Sequence, residues 1–317
     1  FKFALFVIIL LSFACSFFSK VSSVFLLFIA IFLMRFSGQG MMSHTASTTI
    51  SRYFTRTRGR ALSISWFGLS SAEFIMPVLM VYLLTIIDWQ NLWLIFSITV
   101  LIILPTASFL LIKNLNLDSR EISDENIKEV EIKQWNRREV IKDYRFYIIS
   151  LNMLAMPWIF TGFAVFQSFV QTSKGWGPYV IAQSFMSYSI LSVLTLFLSG
   201  FLIDKFTSRK LLIYMNIPLL FSVVVLYFFD TPITAFLFLG LVGISNGFAN
   251  ILGSSTWAEL YGVKYLGSIK ALTTALMVFA TAFGTALFGL LIDLGFTVGD
   301  IALISGFYIF FSLIQTP

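Results

Sequence analysis

The sequence predicts an all-α integral membrane protein, and three observations carry that prediction. Of 317 residues, 58% are hydrophobic and only 11% charged, with a mean hydropathy of +0.91. An average globular domain carries about 25% charged residues, so this chain lacks the side chains to cover a water-soluble surface. Its apolar runs repeatedly reach the roughly 20 residues that cross a bilayer as helix. Those runs are uniformly apolar instead of alternating over about ten residues, which excludes a membrane-spanning barrel. The net charge of +6 is no nucleic-acid footprint, because Lys and Arg gather in particular loops and not along one face. The lipid bilayer is therefore an expected partner, and nucleic acid is not.

Taken in order, ten spans are expected, at 3–19, 23–46, 60–86, 91–112, 146–171, 179–201, 210–228, 232–256, 268–292 and 299–315, separated by Gly, Pro, Asp or basic clusters. The first run has neither a basic leading region nor a small-residue cleavage site, so it reads as a span and not as a secretory signal. The single cysteine, Cys15, lies within it, permits no intrachain disulfide and reads as a small buried hydrophobe. The abrupt start at Phe1 and end at Pro317 read as the edges of a fragment.

Orientation follows from the loops. Alternate connectors hold Arg52, Arg56, Arg58 and Arg60, then Lys113 through Arg145, then Lys205, Arg209 and Lys210, then Lys264 and Lys270. The others hold Lys20 and Lys174, with Asp88, Asp230, Asp293 and Asp300 nearby. The first set is assigned to the cytoplasm, and a bacterial inner membrane is the expected location. One long polar segment, 114–144, divides four spans from six. Residues 1–113 then form an amino-terminal bundle, 114–144 a cytoplasmic linker along the membrane surface, and 145–317 a six-helix bundle.

The two parts echo each other. With Gly40 set against Gly247, Gln39 falls on Asn246 and Ser43 on Asn250. Arg35, Gln39 and Ser43 are spaced by four, as are Val242, Asn246 and Asn250, so each set lines one helix face. The basic connector then falls on ELYGVKYLGSIK, and Glu73 lands near Thr281. Such duplication is common in transporters. Six spans against four predicts two further helices before Phe1.

The segment GFLIDKFTSRK, Gly200 to Lys210, resembles the loop motif Gly-x-Leu-x-Asp-Arg-x-Gly-Arg-Arg of the major facilitator superfamily of secondary transporters. Gly200, Leu202 and Asp204 match. Thr207 replaces the usual glycine, and the trailing basic residues shift to Arg209 and Lys210. RFSGQG, from Arg35 to Gly40, is similar to the family's Arg-x-x-x-Gly-x-Gly element on its fourth helix, and GLLIDLG before the last helix also looks family-like. In GLSSAEFIMP only Pro77 matches the Gly-Pro element of many exporters, which argues against a drug exporter. The resemblance implies a two-bundle fold with ten of its twelve helices in this chain, no enzymatic activity, no cofactor, and a monomer moving a small-molecule solute. Cavity-lining candidates on that basis are Arg35, Gln39, Asn152, Trp158, Gln167, Asn246 and Asn250, flanked by Glu73 and Thr281. Gly200, Asp204, Arg209 and Lys210 would form a gating latch in which Asp204 bonds to a neighbouring helix end.

Arg35 and Glu73 are the charges set deepest in apolar helices, where a charge costs at least ~2.5 kcal/mol and marks a functional candidate. At 1.5 Å per residue they lie about 18 and 20 Å from the cytoplasmic face, at a shared level. They either pair, fixing helix packing, or both face the central cavity. Desolvation disfavours a lone carboxylate, the property a proton-coupling group uses. An Arg among amides suits a small carboxylate, by bidentate pairing. His44 is the single histidine, so a His-based metal site is excluded. The expected function is secondary transport of a small organic solute by alternating access, coupled to protons or by exchange. A multidrug exporter and a membrane sensor on a transporter's fold are the alternatives, and fold alone does not decide among them.

Overall fold

The computed structural model describes residues 2–42, 45–46, 58–112, 133–206, 208–262 and 264–315. Every regular element among them is helical, as hydrocarbon requires, because each backbone N–H and C=O must be satisfied within its own segment. In chain order they are α1 Lys2–Ser19, α2 Val24–Met34 continuing as a π-helical stretch over Arg35–Met42, α3 Arg58–Leu84, α4 Trp89–Ile112, α5 Arg137–Lys142, α6 Tyr144–Val165, α7 Gln167–Ser173, α8 Val180–Lys205, α9 Ser208–Phe228, α10 Pro232–Tyr261, α11 Leu266–Asp293 and α12 Val298–Gln315. Among the described residues nine helices are long and apolar enough to cross a membrane, and Phe3–Ser19 is a shorter apolar helix before them. These ten segments follow the expected order. Two irregularities interrupt them. The second span changes to π winding at Arg35, and the expected 146–171 span breaks at Phe166 into α6 and α7.

The chain divides into two compact units, one of Phe1–Leu69 with Leu79–Asn126 and the other of Ser70–Val78 with Ile127–Pro317. In the first unit α1 packs chiefly on α4. Ser12 and Ser97, both buried, cross-bond there: each Oγ donates to the other's carbonyl, at 2.9 and 2.8 Å. Two hydroxyls thus satisfy each other where no water is at hand. Phe18 closes the same seam against Trp89 and Trp93.

In the second unit α8 packs most extensively on α10, α9 on α10 and α12, and α6 on α11. Small residues let the backbones approach, as in membrane helix pairs generally. A Cβ on Gly243 would lie 2.3 Å from the Tyr188 carbonyl oxygen, and one on Gly284 would lie 2.1 Å from that of Trp158. A large apolar core fills the middle of this unit, including Trp158, Phe163, Phe238 and Phe288. A smaller cluster at the end expected to be cytoplasmic joins Val140, Phe146, Trp257 and Tyr261.

Candidate functional site

In the first unit Arg35 and Gln39 sit on the π-helical stretch. Ser37 is fully buried, its Oγ donating to the Leu33 carbonyl at 2.6 Å, and Gly38 packs against Leu11 of α1. That contact fixes the rotation of the stretch and leaves Arg35 and Gln39 exposed. Within its own unit Arg35 makes no ion pair among the described residues. Ser43, His44, Arg52 and Arg56 lie outside the described residues.

Glu73 lies near the middle of α3, in the Ser70–Val78 segment that belongs to the second unit. Its side chain is half-buried and has no ion-pair partner within that unit among the described residues. Pro77 stands four residues on inside the same helix. A proline has no N–H for the carbonyl one turn back, so the Glu73 backbone oxygen lacks its intrahelical donor. A carboxyl and an unoccupied helical acceptor position therefore coincide at one residue. Glu73 is also close enough to the buried phenol of Tyr188 on α8, in the same unit, to act on it electrostatically.

The amides of the second unit take three different positions. Asn152 on α6 is fully buried, and its backbone carbonyl accepts from Asn216 Nδ2 at 2.8 Å. Asn246 on α10 is half-buried and donates through Nδ2 to Ser192 Oγ of α8 at 2.9 Å, while Asn250, one turn on, is half-buried on the same helix. Gln167, at the start of α7, is exposed at the edge of a narrow cleft of about 20 Å³, which Phe163, Trp176, Ser184 and Phe238 also line. Such a space holds about one water. Trp158 lies in the core, edge-on to Phe283, Phe288 and Tyr308. Thr281 on α11 returns its hydroxyl to the Val278 carbonyl at 2.7 Å.

Of the loop motif, Gly200 and Asp204 fall in the last turns of α8, and Arg209 and Lys210 in the first turn of α9. The side chains of Asp204 and Arg209 lie outside the described residues. Lys210 is exposed beside an open groove of about 820 Å³ lined by Leu202, Tyr214, Pro218 and Phe248.

A family model described as Major Facilitator Superfamily matches residues 2–285. The chain belongs to this superfamily. No curated protein matches it in sequence. Among solved structures it is similar to a bacterial homologue of the human lysosomal transporter Spinster, crystallised inward-facing and unoccupied. The two share 13% identity with a TM-score of 0.64, over 99% of this chain and 83% of the other, so the likeness concerns the fold. Superfamily membership makes the chain an integral, multi-pass membrane protein of a transporter family.

For a superfamily member the described contacts add three features that sequence reading did not single out. Glu259, near the end of α10, accepts the Ser208 backbone N–H with both carboxylate oxygens, at 3.1 and 3.0 Å, and so caps α9 within the loop motif. At the opposite end of the unit Lys174 forms an ion pair with Asp230 and donates to the Phe229 carbonyl, while Trp176 Nε1 donates to the Asp230 carbonyl. Trp176 and Trp257, each near the end of a span, are buried in the protein. Trp257 stacks on Tyr261 and packs against Phe146.

Proposed function

We propose that the protein is a secondary transporter of a small organic solute, a carboxylate, acting as a monomer by alternating access and coupled to protons through Glu73. The observation that carries this reading is the state of Glu73: a half-buried carboxyl at the middle of a membrane-spanning helix, without a cation partner in its unit among the described residues. A static ion pair would explain such a residue structurally, and none is formed within the unit among the described residues. A carboxyl within a membrane helix can bind and release a proton as water reaches it. Alternate exposure to the two sides of the membrane supplies that change.

Arg35 supplies the solute's counter-charge. Its guanidinium is turned away from α1 together with the Gln39 amide, and neither group tolerates lipid contact without a partner. A planar guanidinium pairs a carboxylate through two parallel hydrogen bonds. In this scheme Asn250 and Gln167 are the second-unit amides assigned to add hydrogen bonds to the solute. Asn246 holds α8 to α10 and serves the packing first. Residues 1–113, the linker 114–144 and residues 145–317 act in this scheme as two bundles and their connector, with Asp204 as the latch between access states.

The test uses purified protein in liposomes under an inward proton gradient, exposed to a mixture of small organic acids, amines and neutral solutes, with retained solutes read by mass spectrometry. Accumulation of an organic acid that a protonophore abolishes is expected, together with its loss in Arg35→Gln. Accumulation that ignores the proton gradient, and persists in both Arg35→Gln and Glu73→Gln, would overturn the proposal.

A further inference from the structure

The stretch from Lys133 to Arg145 carries seven charged groups, and the structure sorts them by sign. Both acids are engaged. Glu139 accepts the Asn136 N–H at 2.8 Å in a capping box at the start of α5 and pairs with Lys133 at 3.6 Å. Asp143 caps α6, accepting the Arg145 N–H at 3.0 Å, and also takes the Tyr261 hydroxyl at 3.2 Å. The cations Arg137, Arg138, Lys142 and Arg145 are all exposed, and none forms an ion pair among the described residues.

The helix that presents them cannot turn over. Val140 of α5 is fully buried in the cluster with Trp257 and Tyr261. The preceding residues are strapped to the end of α10: Trp135 N donates to the Tyr261 carbonyl at 3.0 Å, and the Lys264 N–H donates to Gln134 Oε1 at 3.0 Å. At about 100° per residue, burying Val140 sends Arg138 and Lys142 to the opposite side. Beside them lies an apolar ledge, with Ile141, Tyr144 and Tyr147 exposed by 40%, 68% and 51%. The Tyr147 hydroxyl donates to the Ile141 carbonyl at 2.8 Å, joining α5 to α6 along that ledge. The membrane span of α6 begins at Tyr144, so Lys142 and Arg145 stand within a turn of its start and Arg137 and Arg138 within about two turns.

We propose that this ledge is a binding site for anionic phospholipid headgroups. Arg138 and Lys142 take the phosphates, Arg137 and Arg145 flank them, and Ile141, Tyr144 and Tyr147 lie against the first acyl carbons. Positive-inside charge alone requires neither the engagement of both acids nor the fixed rotation of α5. The acidic stretch Asp118–Glu131 of the same chain offers charge complementarity but brings only Ile122, Ile127 and Val130 as apolar residues, whereas a lipid brings whole acyl chains. A lipid matches both faces at once. Basic clusters immediately beside a membrane helix bind anionic lipid for the same reason.

The experiment titrates the full-length protein with phosphatidylglycerol or phosphatidylcholine of identical acyl chains and counts retained lipids by native mass spectrometry. Preferential, salt-sensitive retention of phosphatidylglycerol is expected, with free glycerol phosphate failing to compete. The variant R137Q/R138Q/K142Q should lose affinity by roughly fivefold per charge removed. R137K/R138K/K142R keeps the charges and should keep the lipid, which separates headgroup binding from a folding defect. Equal retention of the two lipids would overturn the proposal, as would unchanged retention by the Gln variant. So would carboxyl-to-amine cross-linking that joins Lys142 to Asp118–Glu131 in phosphatidylglycerol nanodiscs.

Discussion

Glu73 and Glu259 are both carboxylates on membrane helices, and their surroundings give them opposite work. Glu259 is spent on one helix N-terminus, holding the Ser208 N–H with both oxygens. Removing an N-terminal cap costs about 1 kcal/mol. Glu259→Ala is therefore expected to speed amide hydrogen exchange in the first turn of α9 while leaving α10 unchanged. Asn246 offers a finer discrimination. Its bond to Ser192 resembles interhelical bonds in membranes that average ~0.6 kcal/mol. Asn246→Leu should lower the melting temperature slightly and spare transport; lost transport at unchanged stability would make Asn246 a solute ligand instead. Arg35 and Glu73 were legible in the sequence because a charge inside an apolar run has no ordinary explanation. Ser12 and Ser97 were not, since a serine in a membrane helix looks alike whether it meets a partner or its own backbone.

At the scale of the helices, length and order were readable, and local winding was not. Apolar runs bounded by Gly, Pro and charge mark where a helix enters and leaves the bilayer, so ten segments appear in the expected order. The π winding at Arg35–Met42 falls where Gly38 packs against Leu11 of α1, a contact between residues far apart in sequence. Such winding recurs at functional sites, and here it carries the two polar groups that the proposed function uses. Close helix approach is also a pairwise property. Gly243 and Gly253 look equivalent on α10, yet a Cβ at Gly243 meets the Tyr188 carbonyl at 2.3 Å and one at Gly253 meets nothing within 4 Å. Gly243→Ala should therefore lower stability by about 1–3 kcal/mol, the usual cost of overpacking. Gly253→Ala should leave the melting temperature unchanged or slightly raised, since Ala is the better helix former. Thermal unfolding in detergent distinguishes the two.

For the whole molecule, composition and loop charge set the class and the expected orientation before any contact is known. Lys264 and Leu294 lie at opposite ends of α11, and both are exposed. On a Cys15→Ser background, Leu294→Cys should react with an impermeant maleimide on intact cells. Lys264→Cys should react only after permeabilisation, and the reverse pattern would invert the assigned topology. The solute stays beyond the reach of sequence and fold alike, because one transporter fold serves many substrates. Coupling is more accessible, since the proposal assigns it to a single carboxyl. The deciding measurement is proton movement in protein-loaded liposomes, followed with a trapped pH dye while solute is added without an imposed gradient. Wild-type vesicles should shift internal pH as solute enters. Glu73→Gln, a fixed mimic of the neutral carboxyl, should exchange labelled for unlabelled solute without moving protons. Solute-driven proton movement that persists in Glu73→Gln would contradict the assignment of coupling to this residue.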